Sequence, residues 1–163
     1  MTSAENNQLI ADVARDIVAQ TAPQELPLFR ATSAVYFKRP DKALKNQAGK
    51  DEILGFGTGE MVSLLTPVVL TVVTEVVTFL TLEVKKAVAA ESASLISDQV
   101  KNLFKKFHIE GEKGQSGSSS LTREQIARVR KLACERFLQL KLSESQANRL
   151  ADAIAISLIT DPS

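Results

Sequence analysis

The chain is predicted to be all-α, and three observations carry that prediction. Apolar residues recur at intervals of three and four along most of the 163 residues, not in alternation. Pairs with capping-box spacing, Thr2/Glu5, Thr122/Gln125 and Ser143/Gln146, precede the apolar stripes. The valine pairs Val68-Val69, Val72-Val73 and Val76-Val77 repeat every four residues, which a strand of period two does not do. The predicted architecture is a helical bundle around a long Val/Thr-rich central helix, plus a flexibly tethered C-terminal αα-hairpin. Its parts are a bundle domain over 1–107 (helices about 4–21, 60–90 and 93–107), a linker over 108–120, and a hairpin module over 121–163.

The first helix rests on Leu9, Ile10, Val13, Ile17 and Val18, which share one face, and Pro23 and Pro27 stop it. From Glu25 to Gly59 the pattern loosens. Leu26, Leu28, Phe29, Val35, Tyr36 and Phe37 hold most of the aromatic content and are expected to lie over the core. Short helices are expected at 30–37 and 41–47, divided by Pro40. Gly55, Gly57 and Gly59 then release the chain into the central helix.

Between Met61 and Leu82 the sole charge is Glu75. On a helical wheel Val62, Leu65, Val69, Val72, Val73, Val76, Phe79 and Leu80 fall on an apolar half. Thr71, Thr74, Glu75, Thr78 and Thr81 form a polar stripe opposite, into which Leu64, Leu70 and Leu82 intrude. Leu95, Ile96, Val100, Leu103, Phe104 and Phe107 define the next helix. No Gly or Pro interrupts the join, so one rod and two folded-back helices both fit residues 60–107. Within 108–120, Glu110–Ser120 has three Gly, four Ser and no apolar residue, too little to bury for a stable fold. The hairpin beyond it is written in two stripes. Ile126, Val129, Phe137, Leu150, Ile154 and Leu158 are its expected interface, with a short turn near Lys141–Ser143.

Composition narrows the chemistry. With one cysteine, Cys134, and one histidine, His108, the chain has neither an intramolecular disulfide nor a thiolate–imidazole metal cluster to build. A Cys134–His108 nucleophile pair lacks an evident third group. The Gly55–Gly59 loop departs from a phosphate-binding loop, since Glu60 and Met61 stand where Lys and Ser/Thr are needed, and Glu60 would repel a pyrophosphate. Asp51 and Glu52 are neighbours and diverge on a helix, and nothing marks Asp41 or Glu60. No catalytic residue, cofactor, metal or small-molecule substrate is therefore expected. A net charge of +1 and 5% aromatic residues disfavour nucleic acid. The second hairpin helix, with Arg149 as its one basic residue, is a poor recognition helix.

The expected function is a non-catalytic interaction protein, an adaptor or assembly subunit that uses its apolar helix faces for self-association or a protein partner. The alternative is a membrane-active effector or pore-forming component that inserts residues 61–82, a stretch of bilayer-spanning length. Lys101, Lys105 and Lys106 beside Phe104 and Phe107 would then suit anionic lipid. A weaker alternative is a small DNA-binding regulator acting through the hairpin. The N-terminal residues do not resemble a secretory signal, so a cytoplasmic location is expected, with membrane association under the alternative reading.

Overall fold

The computed structural model describes residues 3–39, 65–87, 93–105 and 121–159, and among them the structure is mostly helical with no β-strand. Helix α1 spans Ser3–Thr21. It buries Leu9, Ile10, Val13, Ala14, Ile17 and Val18, the stripe that the spacing predicts. Pro23 lacks the N–H to continue it, and a 3-10 turn, Pro23–Glu25, redirects the chain.

Helix α2, Leu26–Lys38, starts four residues before the expected 30–37 helix. The reason is Pro27. In the first turn of a helix a missing N–H costs nothing and a fixed φ helps, so this proline opens α2 as well as closing what precedes it. Phe29, Ser33 and Tyr36 form its buried face. The expected helix at 41–47 and the Gly55–Gly59 loop lie outside the described residues.

Helix α3, Thr66–Ala87, is the central element and α4, Ala93–Asn102, follows it. The two pack against each other, which collinear segments of one rod do not do, so they are two helices and not one rod. Helix α4 stops at Asn102, short of the expected 107. Leu103 leaves the helix and Phe104 forms an antiparallel bridge with Leu158. Three backbone bonds make this ladder. The N–H of Lys105 donates to Ser157, that of Ile159 to Leu103, and that of Leu121 to Ile159, each at 2.9 Å. Phe104, Leu121 and Leu158 are all buried at that junction.

Helices α5, Arg123–Gln139, and α6, Glu144–Ile156, run antiparallel, fastened by Arg130–Asp152 and by Cys134 Sγ donating to Asn148 Oδ1 at 3.4 Å. Both start with complete capping boxes, Thr122/Gln125 and Ser143/Gln146. Helix α5 ends in a Schellman turn: the N–H of Leu142 donates to Phe137 and that of Lys141 to Leu138. Lys141 sits at the left-handed position of that turn with φ 77°.

Around α3 pack α1, α2, α4 and α5, while α6 reaches α1. One apolar cluster draws on all six of the described α-helices. The linker expected at 108–120 lies outside the described residues. The structure shows its two flanks: Lys105 and Leu121 are both bonded to the segment Ser157–Ile159.

Candidate interaction site

The valine face of α3 is filled by the chain's own helices. Val69, Val72, Val73, Val76 and Leu80 are fully buried, Leu65 and Phe79 half-buried, and Val62 lies outside the described residues. The two-sided wheel holds only for the second half of the helix. From Thr66 to Val73 every residue is buried, Leu70 and Thr71 included, as in a helix surrounded by neighbours. Beyond that, Glu75, Thr74 and Thr81 are half-buried and Thr78 is exposed.

The threonine stripe is self-satisfied. Thr71, Thr74, Thr78 and Thr81 each donate a hydroxyl to the carbonyl four residues earlier, on Pro67, Leu70, Thr74 and Val77, at 2.7–2.9 Å. An unpaired hydroxyl in an apolar setting costs a few kcal/mol, about 1–3 by mutational measures, and here that cost is avoided within the helix.

Among the described residues three polar contacts fasten α3 to its surroundings, and spacing gave no signal for any of them. Glu25, only 6% exposed, caps its N-terminus. Its carboxylate accepts from the N–H of Leu65 at 2.8 Å, the N–H of Thr66 at 2.9 Å and the Thr66 hydroxyl at 2.6 Å. These bonds satisfy N–H groups that the helix itself leaves open, and they set negative charge against the positive end of the dipole. Pro67, next along, needs no such partner.

At mid-helix, Arg136 Nε on α5 donates to Glu75 Oε2 at 2.7 Å, with the two side chains 32% and 36% exposed. Near the C-terminal end, Gln125 does two jobs. Its Oε1 accepts from the Thr122 N–H in the capping box, and its Nε2 donates to Glu83 Oε1 at 2.9 Å. The Gln125 amide holds the Glu83 carboxyl below its ordinary 4.5; burial opposes it, and Lys86 and Arg128 assist. The pairs 75/136 and 83/125 run in opposite order along the two chains, so α5 lies antiparallel on α3.

The expected hairpin interface is likewise internal. Val129, Phe137, Leu150, Ile154 and Leu158 are fully buried and Ile126 is half-buried. Among the described residues the large apolar side chains left exposed are Val35, Leu82, Leu138 and Ile156. No group of three or more His, Cys, Asp or Glu able to hold a metal occurs among the described residues. His108, Lys106, Phe107, Asp41, Asp51, Glu52 and Glu60 lie outside them, while Cys134 is half-buried on α5. No protein-family model matches the chain, and neither a curated protein nor a solved structure matches it.

Proposed function

We infer that the chain is a non-catalytic α-helical interaction protein, an adaptor or assembly subunit whose partner is a second copy of itself or another helical protein. One observation supports the reading: among the described residues, polar side chains from two other parts of the chain reach across to α3. Glu25 reaches it from the turn before α2, and Gln125 and Arg136 reach it from α5. Such a molecule puts its chemistry into helix packing. Size-exclusion chromatography with light scattering over a wide dilution series tests it. A discrete, dilutable oligomer supports the reading, and a monomer at every concentration that also captures no helical partner counts against it.

A second reading, a membrane-active effector, is favoured by α3 itself. Residues Thr66–Lys86 have a mean hydropathy of 1.8 over an 18-residue window. At 22 residues α3 is about 33 Å long, against a hydrocarbon core of about 30 Å. Its threonine hydroxyls already have acceptors, and Lys85 and Lys86 stand at its end. Dye release from anionic liposomes, compared with Thr78→Lys, separates the readings. That substitution puts a charge into the span at an exposed site and spares the core. Release by the native chain and not by the variant supports insertion; no release and no co-flotation leaves the first reading.

A further inference from the structure

We propose that the α5–α6 hairpin is a hinged flap over α1 and α3, fixed at its base by the backbone ladder and latched at its tip by Arg136–Glu75. The proposal deepens the interaction reading, because it names how an apolar face that is filled in this structure becomes available.

The two ends of the hairpin are held differently. At the base, where α5 begins and α6 ends, Ser157 and Ile159 are tied by backbone bonds to Lys105 and Leu103, and Leu121 to Ile159, over the buried Phe104 and Leu158 side chains. Gln125 adds its bond to Glu83 at the same end. These contacts include buried backbone groups, which are costly to unpair. Towards the tip, near the Leu140–Ser143 turn, the polar contact to α3 among the described residues is one ion pair whose partners are each about one-third exposed, beside the buried Phe137. Solvent-accessible ion pairs of this kind hold weakly and are screened by salt.

The hairpin also has fastenings of its own that do not involve α3. Each helix has its own capping box, the Schellman turn closes α5, and Arg130–Asp152 and Cys134–Asn148 join the helices away from α3. Val129, Ala133, Phe137, Ala147, Leu150 and Ile154 are buried in the apolar cluster that the hairpin shares with α1 and α3. Beneath it lie α3, met by α5, and α1, met by α6. Opening about the base therefore uncovers α3 and α1 together.

Hydrogen exchange on the isolated full-length chain tests the flap without any partner. Arg136→Glu sets two carboxylates against each other at the tip. Amides of α3 from Val69 to Val77 are expected to exchange about fivefold faster or more, the order set by losing a partly exposed ion pair. Amides of Lys105, Leu121 and Ile159 at the base should keep their protection. The paired swap Glu75→Arg with Arg136→Glu should restore the native rates. Equal acceleration at base and tip, or unchanged rates in α3, or failure of the swap to restore them, overturns the proposal. Arg136→Gln, a milder change, repeats the comparison should Arg136→Glu unfold. Light scattering on the same variants separates the two ideas. A flap that opens by exchange with no gain in association leaves the latch standing and removes the interaction reading.

Discussion

Glu25 sits between two prolines in a stretch whose local pattern says only that a helix has ended, yet its carboxylate organises the start of a helix forty residues on. Converting it to glutamine keeps one acceptor, removes the charge and turns an amide N–H towards N–H donors. Glu25→Gln is expected to cost about 2 kcal/mol, the scale of a hydrogen bond to a charged group, read as a lower denaturant midpoint with unchanged slope. Glu83 gives a pH signature of definite sign. Its folded carboxyl lies below 4.5, so between that value and 4.5 the unfolded chain binds more protons. The stability Glu83 contributes is complete above pH 4.5 and is lost as pH falls through the folded value. Gln125→Leu removes the largest cause, so the midpoint should fall less steeply over that acid range than in the native chain. Neither contact was legible beforehand. Helical spacing reports which residues share a face, whereas the partners of Glu25 and Glu83 are chosen by the way the helices pack.

Local signals did better for elements than for their ends. The stripe of α1, the four-residue valine repeat of α3 and both hairpin capping boxes are written in side-chain spacing, and they appear where the spacing puts them. The early start of α2 and the early end of α4 were not so written. The first depends on reading Pro27 as an opener, the second on Leu158 waiting more than fifty residues away to pair with Phe104. The end of α5 shows what chemistry the turn would prefer. Lys141 holds φ 77°, where a Cβ crowds the following carbonyl and glycine does not. Lys141→Gly should therefore raise stability by about 1 kcal/mol in thermal or denaturant unfolding, with the Schellman bonds kept. The all-round burial of Thr66–Val73 also escaped the wheel. Threonine there is polar by composition, but its hydroxyl is already bonded to the helix behind it.

At the level of the whole molecule the expected all-α class is what forms among the described residues, and the expected faces there turn inward, so the apolar surface that drew attention in the sequence is used first to hold the chain together. That is the ordinary demand on a chain of this size, which must bury a large share of its surface to fold at all. The flap we propose, with its backbone-tied base and ion-paired tip, would give that surface a second use. The base has another consequence. Because Lys105 and Leu121 both bond to Ser157–Ile159, the two ends of the 106–120 connection are held at neighbouring points. Closing a loop costs entropy that grows only with the logarithm of its length, about 0.6 kcal/mol per doubling. A flexible insert that doubles this connection should lower stability by no more than about that amount. Residues 106–120 are thus the place to lodge a reporter domain or a cleavage sequence, and after cutting the two pieces should stay together until the ladder is broken.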